Sequence, residues 1–502
     1  MKSFCLFVGY YLSVTLGRII KRNVKEIIES LLGIPEETQT IEFKRLGESK
    51  VVVKTVETIV AMANTDGGQI IVGIDDPEKT KLSGLERIFG IEENKEVFDE
   101  IQRELQRIVP PISEISNPLL IDVPDCKKTV AILSIPKATE CFHYINNHVF
   151  IRLQKGNKLL TPQEVIKLNY AKGFEKADKE LVDVDFSLLE TQVYQDWKSA
   201  RAIRGANLKD ILTRTGLARK NEKGVLQPTR AAVLLFAEFP TNLMDTKCTI
   251  RVLQYTGRIE TYREVPNLVA KPVTIEGPLV ELIPKAHDYV LTLLRAGIEM
   301  HAGFITRYQI PERAVKEAIT NAVIHRDYHI KRDIEVKVFE DRVEVKNPGL
   351  FPYNITKANI GKVRSDGYRN DLLVKHLREF PSPPNLDQNE GVKAMQNEMN
   401  AKNLYPPTYW TYPYYDDSVE VGLFNENRPS EWEAIRDFLA TNKYVGNEKA
   451  REVTGIVQVT KMSQLLRKWT KQGLLTKIEP RSGAKRHTLY KLANQEDIAK
   501  PR

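Results

Sequence analysis

Glu317-Ala-Ile-Thr-Asn321-Ala-Val-Ile-His325 sets a carboxylate and a carboxamide four residues apart, with an imidazole four further on. On a helix that interval lines Glu317, Asn321 and His325 along one side, while Val315, Ala318, Ile319 and Ala322 recur at the spacing of a core-facing side. A carboxylate and an amide oxygen so placed could hold the metal of a nucleotide, because hard cations take oxygen ligands. His325, with Arg326 and Asp327 at the helix end, either contacts phosphate or caps the helix. Two strands are expected next, 334–339 and 342–346, and the second runs into Asn347-Pro348-Gly349, a turn whose glycine brings backbone close to a ligand.

A second group of acids lies near the start, in Glu37-Thr-Gln-Thr-Ile-Glu42-Phe-Lys44 and in Asp75-Asp76-Pro77. Between them a helix is expected from about 51 to 64, then Thr65-Asp66-Gly67-Gly68 as a tight turn into the hydrophobic strand from Gln69. Further on, Val149-Phe-Ile-Arg152-Leu reads as a strand, and Thr161-Pro162-Gln-Glu164 as a helix start with cap, proline and capping-box acid in order. Three carboxylates, Glu37, Glu42 and Asp75, could hold a divalent ion; each could equally sit in a solvated linker, an edge ion pair or a turn. Lys44, Arg45, Arg152 and Lys155 are the basic residues placed to meet phosphates.

The elements around these groups divide the chain. Its 502 residues suggest two to four domains, and the net charge of +8 permits a polyanionic partner without requiring one. Four separated cysteines, Cys5, Cys126, Cys141 and Cys248, exclude a Cys-x-x-Cys zinc site and a disulfide framework, which fits a reducing cytoplasm. Residues 3–17 are uncharged and apolar but too short to span a bilayer comfortably, so no stable membrane insertion is expected. Expected boundaries are a tail at 1–24, a first domain at 25–172, a linker at 173–187, a second domain at 188–425, a linker at 426–430 and a third domain at 431–495.

The last of these reads as a winged helix-turn-helix from period and punctuation alone. Helices are expected at 431–440, 447–453 and 459–472, with Met462, Leu465, Leu466 and Trp469 on the buried side of the third, then two strands around a basic tip at 479–486. Lys461, Arg467, Lys468 and Lys471 on the third helix and Arg481, Lys485 and Arg486 on the tip would face duplex DNA. Between 405 and 415 an aromatic run broken by prolines favours an edge strand or loop over a base-stacking surface.

The helix with Glu317 and Asn321 resembles the N-box of the GHKL ATPases. That resemblance implies a nucleotide fold binding ATP with Mg2+. Glu317 would orient water, Asn321 would bind the metal, and His325, Asn347, Gly349 and Gly391 would line the nucleotide. The chain departs from the family's Asp-x-Gly-x-Gly box and glycine-rich lid, reading Asn347-Pro348-Gly349 and Glu390-Gly391-Val392 in their places, so binding is implied more strongly than hydrolysis. The first domain resembles the AlbA-like domain of the Schlafen family through Glu-x4-Glu-Phe-Lys, Ala-x-Ala-Asn-Thr-x-Gly-Gly and Val-Gly-Ile-Asp-Asp. In that family two glutamates and an aspartate cut structured RNA with a divalent metal, and the matching positions are Glu37, Glu42 and Asp75.

The order of segments from 25 to 425 is similar to bacterial and archaeal proteins described as transcriptional regulators or RecG-related helicases. A helicase motor is excluded because no Gly-x4-Gly-Lys-[Ser/Thr] phosphate loop exists. The expected fold is therefore α+β multidomain: a Schlafen-type AlbA-like domain, a GHKL-like α/β sandwich and a C-terminal winged helix. The expected function is that of a cytoplasmic, homo-oligomeric DNA-binding regulator with a nucleotide-binding domain. The alternative is a metal-dependent RNase acting on tRNA or rRNA, in phage defence.

Overall fold

The computed structural model describes residues 24–48, 50–112, 115, 117–204, 207–261, 267–299, 305–384, 391–478 and 488–493. The apolar tail before residue 24, Glu390 and the basic tip with Arg481, Lys485 and Arg486 lie outside the described residues. Two compact units form, one comprising residues up to Val165 with Lys477–Lys491, the other Ile166–Thr476 with Leu492–Asn494. Among the described residues no helix is long and apolar enough to cross a membrane.

In the first unit, strand Ile41–Lys44 runs parallel to Gly68–Val72, which pairs antiparallel with Lys128–Ile135, itself bordered by Leu119–Val123. The parallel pair needs a crossover, supplied by helix Val51–Ala63. Strand alternation then divides the core: Ile70 and Val72 pack with Val56, Ile59 and Val60 of that helix, while Ile71 faces Ile28 and Leu31 of the helix at 24–32. Gly68 is required at the turn, since a Cβ there would stand 2.5 Å from the Thr40 carbonyl oxygen at a φ of +151°.

The second unit is built on a six-stranded sheet in the order Val273–Ile275, Ile250–Gln254, Ile334–Val338, Arg342–Pro348, Ser418–Phe424, Thr408–Trp410. All its pairings are antiparallel except the one between Ile250–Gln254 and Ile334–Val338. Helix Glu312–His325 packs on strand Arg342–Pro348, on helix Leu279–Ala296 and on helix Gly391–Ala401. Its apolar stripe of Val315, Ala318, Ile319 and Ala322 is buried as the periodicity requires. Helix Leu279–Ala296 continues through Pro284, held by burial of Leu282, Ile283 and Ala286 on either side. Helix Arg230–Phe236 is capped by Thr229.

Both segments expected as linkers pack against neighbouring elements. Residues 173–187 belong to the core of the second unit: Ala177 is buried, and Asp178 is fully buried and accepts from the Leu373 amide at 3.1 Å. At 426–430, Glu426 holds Lys468 and accepts from Gln472 at 3.0 Å, and Arg428 pairs with Glu433 at 3.1 Å. Polar residues read as solvated connectors are therefore partners to neighbouring elements. Beyond them helices Ser430–Thr441, Asn447–Thr454 and Val459–Lys471 pack in sequence, with Gly455 at φ +71° in the turn. Trp432 and Trp469 meet with ring centroids 5.2 Å apart at a tilt of 59°, and Trp469 Nε1 donates to the Tyr405 hydroxyl at 3.0 Å. Strands Leu475–Ile478 and Leu489–Leu492 follow.

Candidate functional site

A cavity of about 650 Å³ opens beside helix Glu312–His325. That volume is in the range of small-molecule sites, roughly 300–1,000 Å³. Its polar wall is the side of the helix that the sequence marks out, Glu317, Asn321 and His325, and Asn347 lines it from the sheet. Burial raises the Glu317 carboxyl above the ordinary range against the opposing charge of Arg313. Burial, with the Arg369 charge adding to it, pushes His325 down to about 4, so the ring is neutral at pH 7. His325 also stacks on Tyr368 at 5.6 Å and 13°.

Three residues that line this cavity each carry a buried polar atom with no hydrogen-bond partner among the described residues: Asn321 Nδ2, His325 Nδ1 and the Tyr409 hydroxyl. Gly391 begins helix Gly391–Ala401 against this wall, and a Cβ there would stand 2.6 Å from Glu317 Oε2 and 3.2 Å from Asn321 Nδ2. Among the described lining residues Arg313, Lys362, Arg364 and Lys393 oppose a single acid, Glu317. These residues fit a phosphorylated ligand. Glu317 and Asn321 fit its metal only jointly with phosphate oxygens, since Mg2+ is commonly held by one or two protein groups plus substrate phosphate.

Gly349 plays a different part from the one expected. It sits at φ +111°, where a Cβ would approach the Asp327 amide nitrogen to 3.0 Å and Arg369 Cζ to 3.3 Å. The Asp327 amide donates to the Pro348 carbonyl at 2.7 Å, and His329 joins Asp327 at 2.9 Å to Glu180 at 2.7 Å. Arg369, itself buried, donates to the carbonyls of His325, Tyr170, Ala171 and Leu350, and Asn370 to those of Ile324 and Arg326. The His325-Arg-Asp-Tyr, Asn-Pro-Gly349 and Arg369-Asn370 motifs thus knit the helix end to the sheet behind the cavity.

In the first unit Glu37 and Glu42 are neighbours, and the third acid beside them is Asp76 rather than Asp75. Lys44 and Arg152 both pair with Glu42; Lys79 stands 2.9 Å from Asp76 and 3.9 Å from Glu37. Asp75 lies apart, 4.0 Å from Arg45, and its carbonyl accepts from Arg87 at 2.8 Å. Among the described residues no group of three or more His, Cys, Asp or Glu side chains could hold a metal. The expected trio is thereby corrected: each carboxylate faces a cation of the protein where a metal would need it free. The four basic residues expected at phosphates are also occupied. Arg152 is 1% exposed on Glu42, Lys44 shares that acid, Arg45 holds Glu93 at 2.7 Å, and Lys155 bridges Glu36 and Glu78.

Burial and the charges of Glu42 and Asp76 push Glu37 up to about 7 from an unfolded value near 4.5. Between those pH values the unfolded chain releases a proton that the folded one retains, so stability falls as pH rises through this window. Glu37→Gln keeps an acceptor for the Phe43 amide, 3.1 Å away, and removes the penalty. Its stabilisation of the first unit, measured by calorimetry, is expected to be larger at pH 8 than at pH 5; equal gains at both would contradict the assignment.

On the third C-terminal helix Lys461, Arg467 and Lys471 are exposed, whereas Lys468 is ion-paired to Glu426. Sequence reasoning missed Asp76, Lys79, Tyr368 and Tyr409. The first two were legible as an Asp-Asp pair with a lysine three residues after the second, but Tyr409 lay in a proline-broken run that hid its inward side.

Residues 37–161 match the family model described as "Schlafen, AlbA_2", and residues 331–415 the model described as "Putative ATP-dependent DNA helicase recG C-terminal". The second match takes in Asn347, Gly349, Gly391 and Tyr409 and begins after the helix bearing Glu317 and Asn321. Among solved structures the DIP2311 protein from Corynebacterium diphtheriae is similar at 18% identity and a TM-score of 0.37, over 97% of this chain and 87% of that one. No curated protein matches the chain.

Proposed function

We propose that this chain, in which a Schlafen AlbA-type domain precedes a RecG C-terminal, HATPase-type domain, is a DNA-binding regulator that senses a nucleotide. Helix Val459–Lys471 supplies the duplex contact and the cavity beside Glu317 binds the nucleotide with Mg2+. The observation that carries the duplex assignment is the composition and exposure of that helix. It has four cations and no acid, and Thr460, Gln464, Arg467 and Lys471 form one exposed stripe with Lys461 alongside. A helix-turn-helix presents such a face to the major groove, with cations to phosphates and amides to base edges. Since Lys44, Arg45, Arg152 and Lys155 are taken by internal carboxylates, the duplex is assigned to this helix and not to them.

Strand Thr408–Trp410 gives the two sites a common element. Successive residues of a strand point to opposite faces. Tyr409 lines the cavity, while Trp410 reaches to 3.1 Å of the Cβ position of Gly473, just past the helix's C-terminus. A nucleotide that moves this strand biases the helix, and by linkage DNA alters nucleotide affinity equally.

The test is a labelled duplex and a structured RNA incubated with the full chain, Mg2+ and ATP, run on native and denaturing gels. A retarded, intact duplex supports the regulator. Metal-dependent RNA fragments that disappear in Glu42→Ala would replace it with the nuclease.

A further inference from the structure

On the duplex reading above, we infer that the DNA is read through thymine, whose methyl groups meet Val457 and Val459 at the leading end of helix Val459–Lys471. Of the large apolar residues described, Val457 is the most exposed at 85%, and Val459, two positions on, is 56% exposed. Single exposed apolar side chains are ordinary. These two stand together where a helix with four cations and no acid begins. An apolar pair in water gains free energy when an apolar partner covers it, and the charge of the helix selects a polyanion as the bearer of that partner.

The turn that presents the valines is fixed. Ile456 is buried beside Val457, and Gly455 takes a left-handed φ of +71° where helix Asn447–Thr454 ends. Arg451 Nη1 donates to the Val457 carbonyl at 3.3 Å, and Asn447 Nδ2 donates to Ser463 Oγ at 2.9 Å, which ties one helix to the other across the turn. The valines are exposed on a braced segment.

In a helix-turn-helix the leading residues of the second helix meet base edges in the major groove. There the thymine methyl is the apolar group in an otherwise polar code of donors and acceptors. A valine side chain neither donates nor accepts, so methyl contact is the readout open to it. Cations of the same helix take phosphates, which carry no sequence of their own. Phosphates therefore set position, and the valines set sequence.

The experiment titrates three labelled duplexes by anisotropy into the full chain and into a variant combining Val457→Ser with Val459→Ser, both at exposed positions. The duplexes are alternating A/T, the same with uracil for every thymine, and alternating G/C. Uracil keeps each base-pair hydrogen bond and phosphate and removes only the methyl. The native chain is expected to bind the thymine duplex about four- to tenfold more tightly than the uracil one, the effect of covering one or two methyl groups. Salt slopes on the two should be the same, because the phosphate contacts are. In the serine variant the two duplexes should bind within about twofold of each other. Equal native affinity for thymine and uracil duplexes would overturn the inference. So would a thymine preference that persists in the serine variant, or tightest native binding to G/C; in all three cases the duplex reading would stand. Failure of the native chain to bind any of the three overturns both.

Discussion

Arg369→Met is expected to destabilise the second unit by about 3–5 kcal/mol, the range for removing one partner from a buried charged network. Arg369 is 1% exposed and satisfies four carbonyls, those of His325 at 3.1 Å, Tyr170 at 2.8 Å, Ala171 at 2.7 Å and Leu350 at 2.7 Å. These oxygens come from the end of helix Glu312–His325, from helix Pro162–Lys172 and from the segment after Pro348. Methionine fills much of the same space but donates nothing, so several buried acceptors lose their partner together. All four tryptophans, Trp197, Trp410, Trp432 and Trp469, lie in this unit, so their fluorescence during guanidinium unfolding reports it alone. An unchanged midpoint would mean that the arginine is not the tie described.

Removing three cations from helix Val459–Lys471 should have an effect of similar size on binding. Lys461, Arg467 and Lys471 are exposed, and none is paired with a carboxylate among the described residues. Each phosphate contact contributes a slope near −0.9 in log affinity against log salt, so the triple alanine variant should lose about 10²–10³ in duplex affinity near 0.1 M salt. The slope should become shallower by about 2.7. Lys468→Ala serves as the contrast, because Lys468 is bound to Glu426 and should contribute mainly to packing. A triple variant that bound duplex with native affinity and slope would move the DNA surface elsewhere.

How far the site was legible depended on how local its signals were. The four-residue interval of Glu317, Asn321 and His325 reports a helix face directly, and the structure places that face on the cavity. Likewise Gly67-Gly68 and the apolar run after Gln69 mark a turn into a buried strand without knowledge of distant partners. What escaped depends on pairings remote in sequence. Glu42 meets Arg152 across 110 positions, and Arg369 meets Tyr170 across 199, so local sequence gives no sign that either charge is already engaged inside the fold. The packing of the expected linkers was hidden for the same reason: polar composition signals solvent only when no partner returns to it, and Glu426 and Asp178 each have one. Tyr409 shows the converse, an aromatic residue in a run that reads as a bland edge strand, which the fold buries against Phe351 beside the cavity.

The most direct measurement is a duplex titration of the full chain with and without saturating Mg-ATP, followed by fluorescence anisotropy. If nucleotide and DNA are coupled through strand Thr408–Trp410, the dissociation constant should change by about fivefold or more, within the usual range of coupling between linked sites, and lose that response in Asn321→Leu. Identical duplex affinity with and without nucleotide, in a chain shown to bind both, would contradict a nucleotide-sensing DNA-binding protein.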